Sequence, residues 1–210
     1  LASGDNKPRV RYIEGESINT IWGVQSVGIN PANGKEIFIT PDGRRVDVWD
    51  ASYQQPIGVS DPDLEGNAGI NLGHKGLSLS LYFKYRIGGQ MYNTTLVERV
   101  ENADKRYNCD IRVLEDRWKE PGDITFFKDI RDNSMTRPTS RFIEDYSFFQ
   151  LASANIYYDF SKNIASKLGA KSLRVSFSMN DIFRLTTVKA ERGINYPFSS
   201  SFRTSLRILF

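Results

Sequence analysis

The sequence predicts an all-β protein whose antiparallel strands form a segment of a transmembrane β-barrel with long extracellular loops. Apolar and polar side chains alternate without interruption over residues 77–87, the length of a tilted membrane-crossing strand. Residues 202–210 repeat this two-residue period and end on an aromatic ring, as the last strand of an outer-membrane barrel does. No apolar run reaches the roughly 18 residues of a membrane-spanning helix. We therefore expect strands, and not helices, to cross the bilayer.

The composition argues against most enzyme and nucleic-acid-binding classes. A net charge of +3 over 210 residues gives no case for a nucleic-acid partner. Cys109 is the single cysteine, which excludes an internal disulfide and a multi-cysteine metal site. His74 is the single histidine, which disfavours a zinc enzyme or a Ser-His-Asp hydrolase. We expect a protein that is not an enzyme and has no catalytic residues, no metal site and no cofactor.

The first third of the sequence predicts short strands and hairpins. Asn33-Gly34 supplies the positive-φ positions of a tight turn, and Pro41-Asp42-Gly43 marks a second turn. Residues 50–66 lack alternation and are expected to be irregular. The strands predicted in this part of the chain are residues 10–14, 18–27, 36–40 and 45–49.

The remainder of the sequence predicts long strands joined by alternately short and long connections. A tight turn at His74-Lys75-Gly76 joins the strand at 77–87 to an alternating stretch at 68–72. Between residues 98 and 145 the pattern is lost, and loops of this length are usually functional and belong on the extracellular side of a barrel. About eight strands are expected in total. The other strands predicted here are residues 90–97, 154–160, 173–180 and 202–210, with a loop at 181–197.

One face of the predicted strands is basic. We interpret this face as the polar lining of the barrel lumen, which either attracts anionic groups or pairs with carboxylates elsewhere in the barrel. The predicted lumen-facing residues are Lys84, Arg86, Arg174, Arg203 and Arg207.

Four aromatic residues in the predicted loops are candidate ligand-binding residues: Trp22, Trp49, Tyr53 and Trp118. A π-surface stacks on the apolar C–H face of a pyranose, so these rings suit a sugar. The alternative interpretation is that they pack within the loops or in an aromatic girdle. The acidic residues Asp61, Asp63 and Glu65 lack the remaining ligands of a calcium loop and are interpreted as a solvated turn.

The apolar side chains of the last strand face lipid and serve as a barrel-assembly signal. They are Phe202, Leu206, Ile208 and Phe210.

Several motifs, in order along the chain, resemble one family. They are IWGVQSVGINPANG at 21–34, RWKEPGD at 117–123, RFIEDYSFFQL at 141–151, NDIF at 180–183 and the segment from Tyr196-Pro197-Phe198 to Phe210. Together they resemble the SusC-like TonB-dependent outer-membrane transporters. Gln150 stands where the family often has Arg and Asp181 where it often has Asn, which leaves the details of ligand recognition open.

The resemblance implies that residues 1–210 are the C-terminal portion of a 22-stranded barrel whose plug domain is absent from this chain. It implies a location in the outer membrane of a Gram-negative bacterium, in contact with lipid and with the remainder of the barrel and plug. It further implies active import of oligosaccharides or peptides with a SusD-like surface lipoprotein and the TonB complex. The chain is then expected to be a fragment or one piece of a split protein.

Two alternatives remain open at this stage. Alternating strands also suit a soluble or surface-attached all-β carbohydrate-binding module. A TonB-dependent receptor for siderophores or cobalamin shares the barrel fold.

Overall fold

The computed structural model describes residues 7–8, 10–104, 106–188 and 201–210. Neither the length nor the hydropathy of any helix within these residues suffices to span a bilayer. The strands within them are β1 (Thr20–Ile29), β2 (Glu36–Ile39), β3 (Arg45–Val46), β4 (Gln54–Val59), β5 (Leu64–His74), β6 (Leu77–Ile87), β7 (Gln90–Tyr92), β8 (Ile143–Asp145), β9 (Phe148–Asp159), β10 (Ser172–Thr186) and β11 (Ser201–Leu209). The α-helices are α1 (Thr94–Leu96) and α2 (Lys162–Lys167).

The chain divides into two compact units. Of the described residues, the first unit comprises those within 7–61 and 89–145 together with Val188, and the second comprises those within 62–88, 146–187 and 201–210. In the first unit β3, β2, β1 and β4 form a four-stranded sheet in that order, and β7 pairs with β8. In the second unit β11, β10, β9, β6 and β5 form a five-stranded sheet in that order. All of these strand pairs are antiparallel, which confirms the predicted all-β class.

The hairpin of β5 and β6 is the most regular part of the second unit. Its register runs without a shift from Leu64 opposite Ile87 to His74 opposite Leu77. Lys75 and Gly76 form the turn with φ values of +46° and +89°. Residues directly opposite each other in β5 and β6 point to the same face of the sheet, and successive residues point to opposite faces. The alternation in the sequence therefore produces one apolar and one polar face.

One face of the five-stranded sheet is apolar and exposed. The pairs Leu79–Ile156 and Ile156–Phe177 place side chains of β6, β9 and β10 in one row on this face. Large apolar side chains on this face are exposed, for example Phe177 at 40 % and Leu206 at 62 %. An apolar surface that extends over five strands is not typical of a soluble domain and fits contact with lipid.

The predicted assembly signal lies on the apolar face. Ile208 pairs with Leu173 and Leu206 pairs with Val175, while Phe202 pairs with Met179. Phe210 follows the end of β11 and is 72 % exposed.

The five cations predicted to share the lumen side lie together on the opposite, polar face. Arg174 pairs with Arg207, and Ser178 pairs with Arg203. Lys84 and Arg86 occupy the same face of β6, opposite Gln150 and Phe148. A one-residue irregularity in β9 near residue 152 keeps both halves of the strand in phase with their neighbours.

Strand β4 and the first part of β5 form where the sequence suggested irregular structure. β4 contains Pro56, and its apolar and polar residues do not alternate, so the sequence shows no two-residue period there. Pro56 lies at a register shift in the pairing with β1, between Ile21 and Trp22. A proline is tolerated in a sheet at such a bulge because no ladder hydrogen bond is required of it there.

Strand β10 is longer than the sequence indicated. It continues to Thr186 through a bulge between Asn180 and Phe183, where Asp181 has a φ of +51°. Asp181 and Ile182 in the bulge reverse the alternation of polar and apolar residues, which resumes at Phe183, so the visible pattern ends although the strand continues. The rest of the predicted loop, from residue 189, lies outside the described residues.

The segment without a sequence period, 98–145, contributes to the core of the first unit. Asn93 ends β7 and accepts a hydrogen bond from the Leu96 N–H, which starts α1 and a π-helical turn at Val97–Glu101 in place of the predicted strand. The core consists of Tyr92, Leu96, Val97, Val100, Val113, Phe127 and Phe142. Its contacts join residues far apart in the sequence, so no periodicity marks it.

Candidate ligand-binding site

The first unit contains an open cavity of about 850 Å³ beside Trp49. The residues that matter most for its chemistry are Trp49, Lys35, Asp47, Asp50, Lys128 and Arg137. Phe38 and Met135 add apolar surface to the wall. The cavity has the volume of a site for a small oligomer, with an aromatic ring and both signs of charge.

Trp49 is held at the cavity wall by two local interactions. Its indole N–H donates to the Pro138 carbonyl at 3.4 Å. The guanidinium of Arg137 lies 5.7 Å from the centre of the indole ring, within the range of a cation–π interaction. The ring is half-buried, so part of its surface remains open to a ligand.

Asp50 provides negative charge next to Trp49. Its carboxylate accepts hydrogen bonds from the backbone N–H and hydroxyl of Ser52, at 2.7 and 2.6 Å. These hydrogen bonds, the hydroxyl first, lower the pKa of Asp50, so the side chain stays ionised at neutral pH. The same hydrogen bonds begin the 3-10 turn at Ala51–Tyr53.

Lys128 provides positive charge on another wall of the cavity. It is 5 % exposed, and its ammonium donates to the Ser134 carbonyl and hydroxyl and lies 3.6 Å from the Asp132 carboxylate. Burial lowers the pKa of Lys128, although the nearby carboxylates oppose this effect. The ammonium is therefore held by groups of the protein itself.

A buried ion network lies behind the cavity. Arg141 binds Glu36 with two hydrogen bonds, at 3.1 and 2.8 Å, and binds Glu101 at 2.7 Å. The exposed fractions of these side chains are 4 %, 9 % and 0 % respectively. Burial by itself lowers the pKa of Arg141, but the two carboxylates raise it above its ordinary value. Glu36 also lines the cavity, so the network fixes one of its walls.

Arg117, in the RWKEPGD motif, is bonded to main-chain oxygens. It donates to the carbonyls of Val113, Val100, Glu101 and Lys128. It ties four points of the segment 98–145 together and does not line the cavity beside Trp49. Arg137, Glu36, Glu101 and Arg141 were not predicted as site residues. Contacts such as that of Arg141 with Glu36, 105 residues apart, leave no local signal in the sequence.

Of the four predicted aromatic residues, Trp49 lines the cavity. Trp22 and Trp118 are 6 % and 8 % exposed, and Tyr53 lies half-buried in the 3-10 turn. The indole N–H of Trp118 donates to the Pro31 carbonyl at 2.8 Å. The backbone N–H of Gly122 donates to the same oxygen at 2.9 Å. The structure therefore joins the INPANG and RWKEPGD motifs.

Replacing Gly34 by Ala is expected to destabilise this joint by roughly 2–3 kcal/mol, a combination of backbone strain and a steric clash. Gly34 has a φ of +71°, and an added Cβ would lie 2.6 Å from the Trp118 ring. Gly43→Ala is a matched control because Gly43 has a φ of +83° with no atom near its Cβ position. Hydrogen exchange of the Trp118 region should accelerate in the first variant only; equal behaviour of the two variants would contradict the packing described here.

The chain is similar in sequence and in fold to known proteins. No family model matches the sequence. The TonB-dependent receptor P3 of Formosa agariphila is 22 % identical over 214 aligned residues, covering 93 % of this chain. The RagAB peptide importer in its open-open state is similar over 100 % of this chain, with a TM-score of 0.70 and 20 % identity. The resemblance to SusC-like TonB-dependent transporters is confirmed.

The similarity extends to a second state of the same solved complex but to only part of each relative. The closed-closed state of RagAB matches 90 % of this chain with a TM-score of 0.67 and 21 % identity. This chain spans 20 % of the length of receptor P3 and 25 % and 23 % of the two RagAB chains. At these identities the similarity to the solved RagAB chains shows the fold of this chain.

Proposed function

We propose that residues 1–210 are the C-terminal portion of the barrel of a SusC-like TonB-dependent importer in the outer membrane of a Gram-negative bacterium. The observation that supports this most strongly is the five-stranded sheet, which has an exposed apolar face and an opposite polar face. Such a sheet is unstable in water but suits a wall between lipid and an aqueous lumen. Its edge strands β5 and β11 require partners in the remainder of the barrel, since unpaired edges are not tolerated in lipid.

The proposed cargo is an oligosaccharide or a short peptide. The cavity beside Trp49 supports this choice because an indole stacks on a sugar ring or on an apolar side chain. The cavity presents both signs of charge, which suits a zwitterionic peptide, and RagAB is a peptide importer. No enzymatic activity is proposed for this chain.

The proposed import requires partners outside this chain. A SusD-like surface lipoprotein captures cargo together with the long loops, and RagAB provides a two-component precedent. The TonB complex supplies energy through the plug, and lipid surrounds the apolar face. No nucleic-acid partner is proposed.

Replacing Trp49 by Ala is expected to weaken cargo binding by up to about tenfold, because stacking on an aromatic ring contributes about 0.5–1.5 kcal/mol. The test is to purify the intact transporter with its lipoprotein from native membranes and to identify the bound oligomer by mass spectrometry. Its affinity is then measured with the native protein and with the variant.

Tyr12→Ala is the matched control, since Tyr12 is an aromatic residue of the same unit that is 80 % exposed. Full affinity of Trp49→Ala would contradict the assignment of the cavity. An intact parent protein that carbonate releases from the membrane fraction would contradict the proposed function itself.

A further inference from the structure

The polar face of the five-stranded sheet has an ordered distribution of charge. Strand pairing arranges its side chains in rows that cross the sheet. One row contains Asp159, Arg174 and Arg207 on β9, β10 and β11. Another contains Lys84, Gln150 and Arg184 on β6, β9 and β10. Between these two rows, β6, β9 and β10 carry hydroxyl and amide groups on this face, for example Ser80, Asn155 and Ser178, and Ser178 pairs with Arg203 of β11.

Cations outnumber carboxylates on this face. The paired register gives it six cations, Lys84, Arg86, Arg174, Arg184, Arg203 and Arg207, and two carboxylates, Glu65 and Asp159. Asp181 in the bulge of β10 adds a third carboxylate, which accepts a hydrogen bond from Gln150 at 2.8 Å. Six cations against three carboxylates leave an excess of three positive charges on one face of one sheet.

The carboxylates of Glu65 and Asp159 already form ion pairs with arginines. Asp159 accepts two hydrogen bonds from Arg174, at 2.6 and 2.8 Å. Glu65 lies 3.5 Å from the guanidinium of Arg86. Among the residues that the structure describes, no carboxylate forms an ion pair with Lys84, Arg203 or Arg207. These three cations are all exposed.

The pairing of Arg174 with Arg207 means that the excess of positive charge at β11 lowers the stability of the sheet. Like charges directly opposite each other on neighbouring strands destabilise a sheet, and a single Asp159 carboxylate serves this row. Arg203 lies two positions further along the same face, about 13 Å from Arg207 at the rise of a strand. A protein keeps such a like-charge row at a cost to stability, which points to a role outside folding.

We propose that this face selects anionic oligomers that bear carboxylates, either acidic peptides or uronic-acid oligosaccharides, among the solutes that the transporter imports. The inference rests on the proposed function. Guanidinium groups bind carboxylates through two parallel N–H···O bonds, and Arg203 and Arg207 present such groups at spaced positions. The Ser, Asn and Tyr side chains of β6, β9 and β10 between the two basic rows offer weaker partners for the uncharged parts of the oligomer.

The test compares uptake of matched acidic and neutral probes by cells that carry the intact transporter. One probe pair is the peptide Ala-Glu-Glu-Ala and its isosteric partner Ala-Gln-Gln-Ala. The other is tetragalacturonate and its methyl ester. We expect the acidic member of the imported pair to enter about tenfold faster than its neutral partner at low salt, because a basic wall raises the local concentration of anions.

The triple variant Lys84→Gln, Arg203→Gln, Arg207→Gln is expected to reduce this ratio of acidic to neutral uptake to near one. The charge-retaining triple variant Lys84→Arg, Arg203→Lys, Arg207→Lys is expected to keep a ratio well above one. In the native transporter the ratio should also fall as ionic strength rises, a measurement that requires no variant.

Each remaining outcome counts against the inference. Equal uptake of acidic and neutral probes by the native transporter, or a ratio that neither salt nor the Gln substitutions change, would overturn the anion selectivity and leave the proposed function intact. If the Gln variant shows an equal loss of uptake for both probes, the three cations contact the plug and do not select the cargo. A native transporter that imports none of the four probes would contradict the proposed function, and the inference with it.

Discussion

Replacing Arg141 by Met is expected to destabilise the first unit by about 3–5 kcal/mol, since breaking a buried ion pair leaves an uncompensated charge. Arg141 is the common partner of Glu36 and Glu101. Its guanidinium also donates to the Phe126 carbonyl at 2.6 Å and lies 4.4 Å from the Phe142 ring centre. The substitution leaves two buried carboxylates facing each other without a cation.

Hydrogen exchange followed by mass spectrometry of the intact protein measures this effect. Amides of the core segments 92–101 and 139–143 should exchange at least a hundredfold faster in Arg141→Met than in the native protein. Arg44→Met is the matched control, because it removes an arginine whose ion pair with Asp42 is exposed and worth at most about 1 kcal/mol. Equally slow exchange in the two variants would show that the network does not stabilise this unit.

Replacing Leu79 by Arg is expected to remove most of the intact protein from the outer membrane. Leu79 lies on central strand β6, between Leu72 of β5 and Ile156 of β9, on the apolar face. An arginine that faces lipid near the middle of a barrel wall costs about 2–4 kcal/mol. The measurement is the amount of folded, heat-modifiable protein in the outer-membrane fraction.

Ser80→Arg is the matched control for Leu79→Arg. Ser80 is the next residue of the same strand, and its partners Asn71 and Asn155 place it on the polar face. The same new charge is expected to be tolerated there because the polar face contacts water. Equal loss of both variants would mean that the two faces of β6 do not differ in environment.

The sequence predicts the second unit well because each of its strands has two chemically different faces. The alternation at 77–87 coincides with the bounds of β6, Leu77–Ile87. The prediction failed where geometry interrupts the period. Pro56 at a bulge concealed β4, and the bulge after Asn180 concealed the second half of β10. A bulge interrupts the alternation of side chains without ending the strand, so a strict two-residue test stops too early.

The first unit and its cavity were less predictable for a different reason. Trp49 was identified as a candidate from residue type alone, whereas Arg137 and Lys128 reach the same cavity from the segment without a period. Arg141 and Glu36 are 105 residues apart, and their contact depends on the packing of the whole unit. Residue type predicts which side chains suit a ligand, but only the folded chain shows which of them share a cavity.

The central claim is that alternate side chains of the five-stranded sheet contact hydrocarbon while their neighbours contact water. A nitroxide scan of β6 in the intact protein tests it most directly, with Cys109 replaced by Ser and single cysteines introduced at Ser78, Leu79, Ser80 and Leu81. Labels at Leu79 and Leu81 should collide with lipid-soluble oxygen, and labels at Ser78 and Ser80 with a water-soluble nickel chelate. Equal access of both reagents at all four positions, or the reverse pattern, would contradict the account.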